Sequence, residues 1–312
     1  MFWVIYKNLE KEIIELSNKL HFCDAQENVY SIYISDLLVR ASVEIEALSK
    51  ELYKLSGGNM NPVGLDGKAR VLMFDSDCLQ YLDVNWGITK RVVNIVCPNF
   101  DFQKSENLIL RPLKDCNKQG KGRWKKAYQA VKHDRVGSLN AGNIGNLIRA
   151  MAALYILNVY YRNESYIVGS MMQVNPFDTR MGSDLFSLSL VQAEHYNFDS
   201  LKFEGLSDED FKSATLIQKY TEESFSTLLK SLNMFKDEVQ EKLSKSPLAQ
   251  EFLSRNPNYK FKGYLHLIED IGGEKLLNEI MKNQSIVSEM KKSQIEVVLN
   301  KGQNIYQINN SI

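Results

Sequence analysis

The sequence predicts a mainly α-helical protein with a small β-hairpin in each half. Three observations carry that expectation. Apolar residues recur at three- and four-residue spacing over long stretches, the pattern of helices that bury one face. Only 6 Pro and 17 Gly interrupt 312 residues, too few turn formers for an all-β fold. The runs that read as strands are short. An apolar fraction of 44% with 24% charged residues is that of an ordinary globular chain.

Taken in order, Leu9, Ile13, Leu16 and Leu20 mark a helix over 8–20. A longer one runs over 29–55 on the stripe Ile34, Leu37, Leu38, Ala41, Ile45, Leu48, Leu52 and Leu55, and Gly57-Gly58 stops it. A shorter helix follows over 69–82. The β-branched run 89–96 pairs with 108–110 in the first hairpin, and Pro98 and Pro112 bound the two pieces. After a polar loop, a helix spans Trp124–His133. The most apolar helix comes next, over 141–161 with Asn140 as N-cap, and it is expected at the centre of the core. Composition shifts at Arg162–Ser165, which places a boundary between residues 1–164 and a mostly helical C-terminal domain, 165–312. That second part reads as an irregular or β-like stretch over 166–204, a helix over 207–243, either whole or broken in two, short helices at 247–254 and 274–291, and a terminal hairpin of 295–300 with 305–308 around Gly302.

Composition excludes several function classes. Lys+Arg and Asp+Glu both number 38, so no global field favours nucleic acid or membrane, and any such argument must be local. Cys23, Cys78, Cys97 and Cys116 form no CxxC pair and have no His at zinc-ligand spacing, the pattern of reduced thiols in a cytoplasmic protein. The apolar start, Met1–Lys7, meets Glu10, Lys11 and Glu12 too soon for a secretory segment, and Met151–Tyr161 is too short to span a membrane.

The local argument lies between Lys114 and Arg135, where eight cations face two anions, Asp115 and Asp134. Arg123, Trp124, Lys125, Lys132 and Gln129 are the candidate substrate contacts, because a positive surface with interleaved aromatic rings suits a phosphate backbone. Trp124, Tyr128 and Val131 share one helix face, which points inward; Lys126, Gln129 and His133 share the other. An imidazole can move a proton near neutral pH, and adjacent cations stabilise charge building on phosphorus. His133, Lys126 and Arg135 are therefore the candidate catalytic groups, with no metal and no cofactor. The plain alternative is a wet helix face whose His133 sits at the C-terminal end of the helix dipole.

The pattern Trp124-x-x-x-Tyr128-Gln-x-Val131-Lys-His-Asp-Arg135, followed by Ala141-Gly-Asn-Ile-x-Asn146 and Ala150-Met-Ala-Ala-Leu-Tyr155, resembles the HEPN-like helical families over about residues 25–165. The acidic helix bearing Arg40, Glu44 and Glu46 resembles their first core helix. The resemblance implies a helical bundle that forms a homodimer. It further implies a metal-independent RNase of bacterial toxin–antitoxin or anti-phage defence systems, with RNA as substrate and an antitoxin or defence protein as a further partner. It makes His133 the catalytic residue. The family's Arg is missing: Lys126 stands at its position, Ala127 replaces the polar residue after it, and Arg123 is too far away, with nine residues between it and His133. The second reading is therefore a non-catalytic module that holds RNA, a nucleotide or a protein on the same face.

Other motifs carry less. Asp75-Ser76-Asp77 after an apolar run looks like the DxD of haloacid-dehalogenase-type phosphatases, but first-turn helix anions explain it better. His21, His195 and His266 stand alone, and Gly142-Asn-Ile-Gly145 reads as a close-packing element.

Overall fold

The computed structural model describes residues 1–170, 173–197, 199–205, 207–275, 278 and 284–302. Helix α1 (Phe2–Ser17) buries Tyr6, Leu9, Ile13 and Leu16, and the apolar first residues belong to it. After β1 (Phe22–Cys23) comes α2 (Ile32–Leu55), capped by the Ser31 side chain on Ile34 N and stopped beyond Ser56. The stretch expected as helix over 69–82 begins later, as a π-helical turn over Phe74–Leu79 that runs into α3 (Gln80–Trp86). Next follow β2 (Val93–Ile95), β3 (Phe100–Asp101), α4 (Ser105–Leu108) and β4 (Ile109–Leu110). Two longer helices close this part, α5 (Arg123–His133) and α6 (Ile144–Arg162). The N-cap of α6 is Asn143 rather than Asn140; its side chain accepts from Asn146 N.

From Ile144 to Tyr160 every residue of α6 except Arg149 is buried. A helix apolar on all sides has no solvent face to offer and becomes the core itself. Helix α2 crosses close beside its start, where a Cβ on Gly142 would lie 2.8 Å from Ser35 Cα, so glycine is needed at that approach.

The expectation of a mainly helical protein with one small hairpin per half is overturned. Twelve strands among the described residues form four sheets. The later strands are β5 (Tyr166–Ser170), β6 (Gln173–Val174), β7 (Phe186–Leu188), β8 (Leu190–Gln192), β9 (Glu194–Asn197), β10 (Lys202–Gly205), β11 (Leu216–Tyr220) and β12 (Gln294–Leu299). Five of them make a mixed sheet in the order β6-β5-β12-β11-β8. Strand β12 runs antiparallel to both β5 and β11, and β8 is parallel to β11. β12 is therefore central and paired with distant strands; residues 305–308, its expected hairpin partner, lie outside the described residues. The predicted pairing of β2 with β4 is present, but β7 adds a third strand, Val93 opposite Leu188. Two-stranded pairs β1-β3 and β9-β10 complete the set.

The segment read as a helix over 207–243, whole or broken in two, is α7 (Asp208–Ser213), strand β11, then α8 (Glu222–Lys245). Helices α9 (Pro247–Arg255), α10 (Tyr264–Asp270) and α11 (Gln284–Lys292) follow.

Two buried ionic groups tie early residues to late ones. Glu10 is 1% exposed and accepts from Tyr6 OH at 2.9 Å, Ser183 Oγ at 2.6 Å and the backbone N–H of Asp184 at 2.9 Å. Arg91 is 2% exposed and spends all five N–H donors on oxygens. Its partners are Tyr160 OH (3.1 Å), the carbonyls of Phe211 (3.3 Å), Lys212 (2.7 Å) and Asn300 (3.1 Å), and that of Trp86.

Arg91→Met orphans several buried oxygens at once. It is expected to lower stability by about 3 kcal/mol or more, read as a fall in the urea midpoint; Arg91→Lys, with fewer donors, recovers only part.

Candidate anion-binding site

The first turn of α5 is anchored from within. Trp124 is buried and its indole N–H donates to Pro112 O at 2.7 Å. Lys125 is 2% exposed, and its ammonium donates to Asp75 Oδ2 (2.8 Å), Cys116 O (2.9 Å) and Lys118 O (2.6 Å). Those bonds use all three donors and fold the loop before α5 back onto the helix start. Gly122 closes that loop at φ 84°, and a Cβ there would meet Cys116. Tyr128 and Val131 are buried on the same side as Trp124, as the helical spacing predicts.

Outside this anchor lies an open recess of about 990 Å³. Its walls come from β4 and the residues after it, the start of α5 and the start of α6. Six cations line it: Arg111, Lys114, Lys121, Arg123, Lys126 and Arg149. The carboxylates on the lining are Glu106 and Asp115, and Asp115 is held by Lys118 at 3.0 Å. Among the described residues Arg111, Lys114, Lys121 and Lys126 have no ion-pair partner, whereas Arg123 and Arg149 share Glu27. Burial opposes the Glu27 charge. Bonds from Arg123 and Asn107, with both guanidinium charges, outweigh it and hold this carboxyl below its ordinary range. Arg149 is structural: it also donates to Asn107 Oδ1 (2.6 Å), Glu106 O (3.0 Å) and Gly145 O (3.0 Å). Gly145 carries no Cβ because one would lie 2.6 Å from Glu27 Cγ, which explains the second glycine of the 142–145 motif. Gly122 gives α5 no side-chain cap, so the first-turn N–H groups add a positive end beside the recess.

The residues singled out from sequence divide into three groups. Arg123, Trp124 and Lys126 line the recess. Lys125 is inside the protein, committed to Asp75, and offers nothing to a ligand. The rest are elsewhere. His133 is exposed in the last turn of α5 and makes no hydrogen bond or ion pair among the described residues. Arg135 pairs with Asp36 at 2.9 Å. Lys132 lies 4.0 Å from Glu46 and 5.1 Å from the Tyr128 ring centroid. Gln129 is half-buried and outside the lining. Lys126 is thus separated from His133 and Arg135 rather than joined to them. Arg111 and Arg149 went unmarked. A lone charge inside an apolar helix was the available signal for Arg149; Arg111, beside Pro112, has none.

The aspartates of the DxD stretch have separate partners: Asp75 holds Lys125, and Asp77 holds Arg70 at 2.6 Å and accepts from Met73 N. No group of three or more His, Cys, Asp or Glu able to hold a metal occurs among the described residues. His266 Nδ1 is 2.8 Å from Asp199, His21 is 3.4 Å from Asp101, and the His195 side chain lies outside what is described. No helix among the described residues is long and apolar enough to cross a membrane. Comparison with protein-family models, with curated proteins and with solved structures finds no match.

Lys125→Met leaves Asp75 charged and buried with no cation beside it, and is expected to cost about 3–5 kcal/mol in urea unfolding; adding Asp75→Leu restores most of it. Burial raises the Asp75 pKa, but the bonds from Lys125 and from backbone N–H outweigh it and hold this carboxyl below its ordinary range. A depressed folded pKa stabilises the protein above the unfolded value. Stability is therefore expected to fall as pH drops below about 4, and this part of the fall is absent from the double variant.

Proposed function

We propose that this protein binds a phosphate-bearing ligand, RNA or a nucleotide, in the recess between the starts of α5 and α6, as a binding module rather than a nuclease. The observation that carries this reading is the set of four cations around one recess, Arg111, Lys114, Lys121 and Lys126, none with an ion-pair partner among the described residues. Unpaired like charges repel one another, and an incoming polyanion relieves that repulsion while releasing its own counterions. Arg111 adds a planar fork that fits two phosphate oxygens, and the uncapped start of α5 turns N–H groups the same way.

The nuclease alternative needs His133 at the phosphate. His133 lies seven residues beyond Lys126 on α5, about 10 Å along the helix axis, and is not part of the recess wall. Arg135 is held on Asp36. A cleavage site at His133 therefore needs groups from a second copy of the chain.

The test is fluorescence anisotropy with labelled single-stranded RNA and with a nucleoside triphosphate. Lys114→Glu with Lys126→Glu is expected to weaken binding by roughly tenfold or more and to flatten its salt dependence. His133→Ala is expected to bind as the unaltered protein does. Unchanged affinity in the double variant rejects the reading. RNA cleavage in EDTA that disappears in His133→Ala replaces it with the nuclease.

A further inference from the structure

We infer that the ligand is a linear chain of phosphates laid across two adjoining cavities, with Arg111 between them. This rests on the phosphate-binding reading above and adds the shape of the ligand.

Arg111 lines the large recess and also a second cavity of about 390 Å³. That second cavity is walled by Lys90, which precedes β2, and by Lys212 and its neighbours on α7. Lys212 is tied to Asp208. Lys90 is exposed and has no ion-pair partner among the described residues. The free cations thus form a track: Lys126, Lys121 and Lys114 in the recess, Arg111 on the shared wall, and Lys90 beyond it. Four carboxylates line the two cavities. Asp115 and Asp208 are tied to Lys118 and Lys212, which leaves Glu106 and Glu209, one in each cavity, without an ion pair among the described residues against the five free cations.

A compact ligand with its phosphates at one end neutralises only one cavity. It leaves Lys90, and the side of Arg111 that faces it, unmatched. A chain with phosphates at intervals meets cations along the whole track, and each contact adds counterion release. The linings also say what is read. The aromatic residue on the track is Trp124, which is 1% exposed, so the track presents charge without an open ring for a base to stack on. Recognition is of the phosphate chain and not of base sequence. Two sources share that chemistry, a single-stranded oligonucleotide and inorganic polyphosphate.

The experiment measures anisotropy of labelled oligouridylates and oligoadenylates, from two to about ten nucleotides, at several salt concentrations. Linear polyphosphate of about ten units is added as competitor. The expected result is an affinity gain of roughly tenfold or more between the shortest and longest chains, equal for uridylate and adenylate, with a salt slope that steepens with length. Lys90→Ala and Arg111→Ala are each expected to shrink the ratio of long-chain to short-chain affinity. Displacement by polyphosphate at equal phosphate concentration makes polyphosphate the source; displacement only at a large excess makes it nucleic acid. A length-independent affinity that Lys114→Glu with Lys126→Glu still abolishes overturns this inference and leaves the binding function standing. A length gain that survives Lys90→Ala overturns it as well. Failure of every phosphate compound to bind overturns both.

Discussion

Because α6 is buried from Ile144 to Tyr160 with only Arg149 reaching toward water, the protein must supply cover on every side of it. Helices α1, α2 and α5 cover part of the circumference, and local sequence suffices to build them. The remaining cover comes from residues far along the chain. Tyr155 OH donates to Arg180 O at 2.9 Å, the Tyr155 ring lies 5.6 Å from that of Phe186, and Tyr160 OH donates to Asn300 O at 2.6 Å. A hydrophobic cluster accordingly runs without a break from Tyr6 to Leu299. Buried phenols on α6 need acceptors, and the late residues bring them, whereas the amides of Asn146 and Asn158 donate locally, to Ala141 O and Leu154 O.

The same economy governs charge. A cation surplus in sequence does not say where the cations end up. Lys125 is drawn inside by Asp75, Arg149 is spent bracing α4 and α6, and Arg135 and Lys132 are turned toward α2 by Asp36 and Glu46. What remains positive is the part of the basic stretch with no acid opposite it, together with Arg111. The recess is therefore defined as much by where carboxylates are missing as by where lysines are present.

Much of the helical scaffold was legible. The stripes Leu9–Leu16 and Ile34–Leu52 and the all-apolar run after Asn143 appear as α1, α2 and α6, because helical periodicity is a local property. The inward turn of Trp124, Tyr128 and Val131 was legible for the same reason. The five-stranded sheet was not. Its strands are two to six residues long, and β12 pairs with β5 more than a hundred residues away, so no short window holds both partners. β11 was absorbed into a neighbouring helix pattern because Leu216, Ile217 and Tyr220 also fit helical spacing. At the site, Lys126 and Arg123 were legible as cations. The burial of Lys125 was not, because it depends on Asp75, fifty residues earlier, and adjacent Lys125 and Lys126 are chemically alike in sequence.

The way Arg91 is satisfied also sets where this chain tolerates interruption. Its guanidinium leans on the carbonyl of Asn300, and the Asn300 amide reaches Phe211 O and Ala214 O. A cut before Asn300 strips acceptors from a charge that has no route to water. The end of β12 is a keystone that cannot be trimmed, though it comes last in the sheet's order of synthesis. The hairpin around Leu65 is the opposite case. Leu65 and Val71 stand in solvent, and the two sides meet only through the bridge of Val63 with Ala69. A linker, tag or new pair of termini belongs there, where no buried group depends on continuity.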